Sequence, residues 1–573
     1  MKIVKKLTIA TIISGLMLST LFSSGLALSA VGYRAINMGG AFRALADDWS
    51  AVYWNPAGLT QIHGKQTGFQ ASAIVPRMSA QITPYTAEGA NGENSIAGTT
   101  MNGWTTKEFD LYPLNFVIPA NGEKFPRNEK LGLDFGFAVY TPFGLGTRSD
   151  AWDFPTNYAD EETLDEYREQ IISFTEPTNF IHEEPTRFEN QSDMKTFCFQ
   201  PTVAKEISPR LSFGAGFMLV AGILNFNKLN QVANPIMETA LGPIIAGGAP
   251  YDMIAAHARI HAMGYAVGGN FGLLFKPTDY LSIGLTARTT TPFKSIGGKA
   301  NITIFGFENE GIRSAIDTTI YKSNQLKEDM EDHIDRYRHF MTGDEYDDEM
   351  GEIDSISALL ADIRDQMFDG KYYSNEYELD AELPLPTNVG IGFALKPTAK
   401  LTTTFDVDFT TWSCWDEIPL HMHGIEEDDY YDDLLFVDKE VESELVMHWK
   451  NTVKIAAGFE QKLDNNFAIR GGYWWDQNSG VEETVHISLP GYNPMHSFLF
   501  GFSYKFPKLH LLGKDLDGLE AGVVFEHIYV ADKRVDWNMI EPEDVDGMLM
   551  PENIGADYHT VVNAISFGFH YTH

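Results

Sequence analysis

Apolar and small or polar side chains alternate, residue by residue, over one stretch of this chain after another. That rhythm leaves few folds open. Phe498, Phe500, Phe502, Tyr504 and Phe506 share one face, against Leu499, Gly501, Ser503 and Lys505. Leu401, Thr403, Phe405, Val407 and Phe409 oppose Thr402, Thr404, Asp406, Asp408 and Thr410. Val389, Ile391, Phe393 and Leu395 repeat the pattern, and so do Ile565, Phe567, Phe569 and Tyr571 near the end. A period of two means extended strands with one greasy and one polar face. Strands of about ten residues, apolar outward and small or polar inward, are the pattern of a barrel in lipid. A soluble sandwich also alternates, but it does not stack aromatics on one face in strand after strand.

The connections fit the same fold. Short ones such as Ile207–Arg210, Lys276–Asp279, Lys396–Ala399 and Leu463–Asn466 carry Pro, Asp and Asn, which form turns. Long connections fall near 222–260, 291–385, 412–446, 477–495 and 531–559. Short periplasmic turns alternating with long extracellular loops are the habit of outer-membrane barrels. Fourteen strand candidates start near 67, 108, 132, 195, 211, 262, 280, 386, 400, 448, 466, 497, 519 and 561. The reading is all-β: a closed, 14-stranded antiparallel transmembrane β-barrel over 64–573. Closure is required because an open edge in lipid would strand backbone polar groups.

Lys2, Lys5 and Lys6, an apolar run from Leu7 to Phe22, and then Ala27 and Ala30 read as a signal peptide over 1–30. Cleavage is expected after Ala27 or Ala30, with the bacterial outer membrane as destination. No later run of 18 apolar residues exists, so spans must be strands. A formal net charge of -37 argues against nucleic acid, which needs basic patches. It suits either a solvated acidic exterior or a surface facing divalent cations. Cys198 and Cys414 imply no disulfide framework, though a bridge between them stays open. An acidic extracellular insert, about 307–381, has helical spacing at Leu326, Met330 and Ile334 and again at Ile356, Leu359 and Ile363. The loop at about 232–260 is apolar, with Ile236, Leu241, Ile244 and Ile245 as a candidate landing surface for a greasy ligand; packing against other loops is the alternative.

Residues 31–63 do not read as strand. They are small and Gly-rich, and suit a compact plug, or hatch, in the lumen. Inward positions downstream are small to match: Gly214, Gly216, Asn270, Gly272, Gly284, Gly390, Gly392, Gly472, Gly501, Gly522 and Gly568. Glycine there lets another backbone approach.

Asn55-Pro56-Ala57 after this Gly-rich start resembles the signature of the FadL/TodX/OmpP1 family of outer-membrane transporters of long-chain fatty acids and other hydrophobic compounds. Thr141-Pro142-Phe143-Gly144-Leu145-Gly146-Thr147, Leu385-Pro386-Thr387-Asn388-Val389-Gly390, Trp449-Lys450-Asn451-Thr452 and Ile469-Arg470-Gly471-Gly472-Tyr473 extend the likeness over most of the chain. The resemblance implies capture by extracellular loops, a pocket above the hatch, and release sideways through a gap at a kink in the third strand. Gly136, Pro142, Phe143 and Gly144 would lie on that strand. It implies passive uptake of a long-chain fatty acid or another hydrophobic small molecule, with outer-membrane lipid and lipopolysaccharide as surroundings and a monomer as the unit. A carboxylate head needs a cation or amide donors; Lys228, Arg288 and Arg470 are the candidates, and Arg288 and Arg470 could instead pair with hatch acids such as Asp47 or Asp48. The chain departs from the family after Pro490, where Gly491-Tyr492-Asn493-Pro494-Met495-His496 replaces an acid–base pair, so an uncharged hydrocarbon or aromatic ligand stays open.

No cofactor or metal is called for. Enzyme motifs such as G-x-S-x-G, H-E-x-x-H and a phosphate-binding G-x-x-x-x-G-K-[ST] are absent from the sequence. Asp515-Leu516-Asp517-Gly518 and Asp544-Val545-Asp546-Gly547 read as turns. The rivals to a transporter are a barrel adhesin and a barrel enzyme.

Overall fold

The computed structural model describes residues 31–82, 108–111, 116–149, 190–233, 253–305, 317–318, 320–322, 324–325, 371–424, 440–485, 493–511, 513–536, 538–540, 550–551 and 555–573. Fourteen barrel strands run through them. They are β1 (Gln66–Ile82), β2 (Glu108–Leu111 and Phe116–Lys124), β3 (Leu133–Tyr140 and Gly144–Ser149), β4 (Asn190–Ser208) and β5 (Leu211–Ala233). Next come β6 (Met253–Thr278), β7 (Leu281–Thr290 and Phe293–Phe305), β8 (Lys371–Leu383 and Asn388–Leu395), β9 (Leu401–Thr410 and Glu417–Gly424) and β10 (Glu440–Val446 and Thr452–Lys462). The last four are β11 (Phe467–Asp476), β12 (Met495–Lys505), β13 (Glu520–Val530) and β14 (Ala556–Thr572).

Each strand pairs antiparallel with its neighbour in sequence. The cylinder closes where β1 meets β14, from Gln66↔Thr572 to Ile82↔Ala556. No backbone edge is left along that seam, as lipid demands. The outward aromatics of the alternating pattern face away from the lumen: Phe498, Phe500, Phe525 and Phe567 are each about half exposed. Their inward neighbours Leu499, Ser503, Val524 and Ser566 are buried. Burying side chains that sit between wall and plug, while exposing aromatics on the other face, is the reverse of a soluble core and fits a hydrocarbon surround.

The short turns end where the sequence places them. In Leu463–Asn466 the Asp464 carboxylate accepts the N–H groups of Asn466 and Phe467, each at 2.7 Å. Those two bonds to the charged form hold its acidity below the usual carboxylate range.

On the opposite side the strands are longer than expected, and the long loops correspondingly shorter. β5 and β6 stay paired out to Ala233↔Met253. β7 and β8 stay paired to Phe305↔Lys371, so 371–381, read as the end of the acidic insert, lies in strand. The sequence reading missed these extensions because their outer face loses its greasy side chains: exposed Glu376, Glu378, Asp380 and Glu382 alternate with buried Tyr377, Leu379, Ala381 and Leu383. Charge on the outward face conceals a strand that has already left the membrane. The helical spacing expected beyond Leu326 lies outside the described residues.

Candidate functional site

Residues 31–62 fold into two short helices, α1 (Tyr33–Asn37) and α2 (Ala51–Trp54), and a 3₁₀ turn (Pro56–Gln61). Nearly every side chain among them is buried, because the segment lies inside the cylinder. Asn55 ties it together. Its side-chain oxygen accepts the Ala57 N–H at 3.1 Å, capping the 3₁₀ turn that Pro56 opens. Its amide donates to the carbonyls of Arg43 at 2.8 Å and of Leu273, on β6, at 3.0 Å.

The lumen is cut to this plug. A Cβ on Gly214 would strike Pro56, one on Gly272 would strike Asn55, and one on Gly284 would strike the Arg43 carbonyl. Gly522 and Gly568 clear the Tyr33 ring, and Gly501 clears Asn37. Gly216 differs, clearing barrel side chains Gln200 and Thr202. Across the plug, Gly39 and Gly40 have φ of 69° and 75°, a left-handed turn open to glycine at little cost. That turn presses on β10 and β11, where Gly472 makes the room.

Buried charge then pins plug to wall. Arg43 pairs with Asp406 at 3.2 Å and also with Asp408, while Asp406 accepts the N–H groups of Phe42 and Arg43, each at 3.0 Å. Arg34 bridges Asp47 at 2.5 Å and Glu460 at 2.7 Å. A buried ion is tolerated only when matched, and removing one partner costs about 3–5 kcal/mol. Arg43→Ala is therefore expected to leave the barrel assembled but to loosen the plug. Hydrogen exchange at residues 31–62 should accelerate by orders of magnitude relative to the strands; unchanged protection would contradict this pinning.

Ladder pairing lapses between β2 and β3, as it also does within β8, β9 and β10 around 382–387, 411–416 and 447–451. β2 pairs with β3 only from Asn121↔Val139 to Lys124↔Gly136, and again at Leu111↔Ser149. Between these, Phe116–Ala120 pair with β1 alone. Pro119 stands in that stretch, and proline, lacking an N–H, suits an edge without a partner. On the other side, β3 breaks between Tyr140 and Gly144. Its register against β4 slips there, from Tyr140↔Cys198 to Gly144↔Lys195. Thr196 mends the break: its hydroxyl accepts the Phe143 N–H at 3.1 Å and donates to the Phe143 carbonyl at 2.5 Å. The kink is thus held open by specific bonds.

Inside the gap, Tyr140 and Phe143 are buried in an apolar cluster that spreads from Tyr53 and Trp54 of the plug to Trp412, Trp415 and Trp449. The Tyr140 ring meets the Tyr53 ring edge-on at 5.0 Å. Arg288 also packs on Tyr53, its guanidinium 3.9 Å from the ring centroid and donating to the Tyr53 carbonyl at 2.7 Å. Arg288 has no carboxylate partner among the described residues, and its Nε–H, shielded from solvent, has no acceptor.

The candidate residues therefore separate. Asn55, Pro56 and Ala57 form one joint of the plug. Pro142, Phe143 and Gly144 sit at the break in β3, whereas Gly136 lies in its paired part and clears Val52 and Leu59 of the plug. Arg288 lies against Tyr53 of the plug. Arg470 does not: it is consumed by Glu460 at 2.7 Å and Glu520 at 3.0 Å, wall acids rather than the Asp47 or Asp48 considered from sequence. Lys228 lies within β5, paired with Ala258, and not after the strand end. Ile236, Leu241, Ile244 and Ile245 lie outside the described residues. Arg43 and Thr196 were missed. An inward Asp406 and Asp408 on one strand was a readable signal that a cation must meet them; nothing local marks Thr196.

Comparison with known proteins agrees with this geometry. The family described as outer membrane protein transport protein (OMPP1/FadL/TodX) matches residues 13–166 and 177–512. Among solved structures, a Pseudomonas aeruginosa FadL homologue is similar with a TM-score of 0.61 at 13% identity, covering 96% of this chain and 100% of the other. The P. putida toluene transporter TodX gives 0.55 at 15% identity, covering 96% and 99%. The Ralstonia pickettii toluene transporter TbuX gives 0.50 at 13%, covering 95% and 99%. No curated protein matches the chain.

Proposed function

Since the chain belongs to the OMPP1/FadL/TodX family of outer membrane transport proteins, we propose that it carries hydrophobic molecules from the extracellular loops to the space above the plug and out through the gap between β2 and β3. The family transports and does not catalyse, and its place is the outer membrane. The observation that carries the route is the interrupted pairing of the wall beside Tyr140 and Phe143. A plugged bore forbids straight passage. An acyl chain gains roughly 0.8 kcal/mol per CH₂ on leaving water, so a dry interior that opens into lipid is the path of lowest cost. Movement is downhill and needs no nucleotide.

For the ligand, Arg288 favours an acidic head over a bare hydrocarbon. It is a cation over the Tyr53 ring, which in turn meets Tyr140 beside the kink, and it has no carboxylate partner among the described residues. A long-chain fatty acid satisfies both ends of such a site. The toluene transporters among the similar structures keep an uncharged aromatic as the second reading. The two part in one experiment: uptake of labelled oleate and of labelled toluene by cells carrying the wild type or Arg288→Gln. A fatty-acid carrier loses oleate uptake on the order of tenfold, the worth of one charge-assisted bond, and keeps toluene uptake. Equal oleate uptake by both proteins would refute the assignment of Arg288. No uptake of either ligand above the empty barrel-deficient strain would refute transport and leave the adhesin reading.

A further inference from the structure

The chain is acidic overall, yet its short-turn rim is basic. The six turns on that side are 125–132, 205–210, 276–280, 396–400, 462–466 and 505–519, and they hold eleven Lys or Arg against six Asp or Glu. With a formal net charge of -37 over the chain, such an excess on one rim is a local inversion. Lys130, Lys205, Arg210, Lys396, Lys400, Lys462, Lys505 and Lys508 are all exposed. Among the described residues, none of these eight makes an ion pair; the acids nearby are largely engaged elsewhere. Asp464 is held by two backbone N–H groups. Asp515 faces His510 at 2.8 Å, and Asp517 accepts the Leu509 N–H at 3.0 Å.

The same turns expose large apolar side chains. Leu131, Ile207, Tyr280, Leu463 and Leu511 are each more than half exposed, more than most lipid-facing aromatics of the wall. Five of the six turns thus combine a cation with a greasy anchor at the level where the wall leaves hydrocarbon. That combination, a long cationic side chain reaching into the headgroups while an apolar neighbour enters the acyl region, is how proteins hold a charged membrane surface. A cluster of like charges without internal partners is also repulsive unless anions are supplied from outside.

We propose that the periplasmic rim of this barrel is a binding surface for anionic phospholipids of the leaflet facing the periplasm. The phosphate and glycerol head lies among Lys205, Arg210, Lys400, Lys462 and Lys508, and the acyl chains lie beside Ile207 and Leu463. Among the described residues none of these five cations bonds the plug, so the surface stands whatever ligand the barrel carries.

The test uses the full mature barrel in nanodiscs of mixed phosphatidylglycerol and phosphatidylcholine, with retained lipid counted by native mass spectrometry. Retained lipid should be enriched in phosphatidylglycerol roughly threefold or more over the bilayer. The variant carrying Lys205→Gln, Arg210→Gln, Lys400→Gln, Lys462→Gln and Lys508→Gln should fall to the bilayer ratio. A control carrying Arg77→Gln and Arg259→Gln, exposed cations away from the short turns, should keep the enrichment. Free glycerol phosphate at matched concentration should not displace the lipid; displacement would mean a phosphate site without acyl anchoring and would overturn the proposal. So would equal retention of the two lipids by the wild type, or an enrichment that the five substitutions leave intact. Should that variant not assemble, Lys462→Gln with Lys508→Gln must still lower the enrichment.

Discussion

Removing residues 31–60 is expected to convert a closed barrel into an open aqueous pore. The glycine-lined inner wall is shaped around those residues, with Gly214, Gly272 and Gly284 leaving the space that Pro56, Asn55 and Arg43 occupy. Without the plug, that space fills with water. Asp406, Asp408 and Glu460, now paired with Arg43 and Arg34, would face it and favour cations over anions. In planar bilayers the truncated protein should give large, steady, cation-selective conductance, where the full chain gives little. Cells should become sensitive to polar antibiotics too large for ordinary porins. Assembly should survive, since β1 and β14 close through a backbone ladder of their own from Gln66↔Thr572 to Ile82↔Ala556. A truncated barrel that folds yet conducts no more than the full chain would mean that something besides this segment blocks the bore.

How much of this was readable in the sequence depends on what each residue answers to. Strand positions and the closed fold follow from the two-residue period, which lipid on one side and a plug on the other impose directly on Phe498–Lys505 and its counterparts. The plug was legible for a related reason. Inward Gly272, Gly284 and Gly522 make sense only if another backbone lies against them. The outer ends of β6, β8 and β10 were hidden because the period there changes its chemistry: with water on the outer face, Glu378 and Asp380 read as loop. The pairing of Arg43 with Asp406 spans 363 residues, and no local pattern carries such a partner. Arg288 and Arg470 show the limit most plainly. Both point inward on their strands, but one meets Glu460 and Glu520 and the other meets a tyrosine ring. Only the register of neighbouring strands decides which partner an inward arginine meets.

Straightening β3 should close the route while improving the barrel. Three residues, Thr141 to Phe143, stand where the ladder with β4 has room for two, Phe197 and Thr196. Deleting Pro142 removes the surplus residue and the ring that bars a backbone bond. Replacing Pro119 with valine restores a donor on the facing edge of β2, which now pairs with β1 alone over Phe116–Ala120. Each new ladder bond contributes about 1 kcal/mol, so the double change should raise resistance to heat and denaturant. Uptake should move the opposite way, falling on the order of tenfold or more, because even 1.4 kcal/mol added to the opening step is a factor of ten. A stability gain coupled to a transport loss is the signature of a wall defect kept for use. Uptake that stays at the wild-type level in a barrel shown by hydrogen exchange to have the closed ladder would exclude lateral exit and send the ligand past the plug instead. Uptake lost together with stability would mark the kink as necessary for folding, and the gap would then carry no argument about transport.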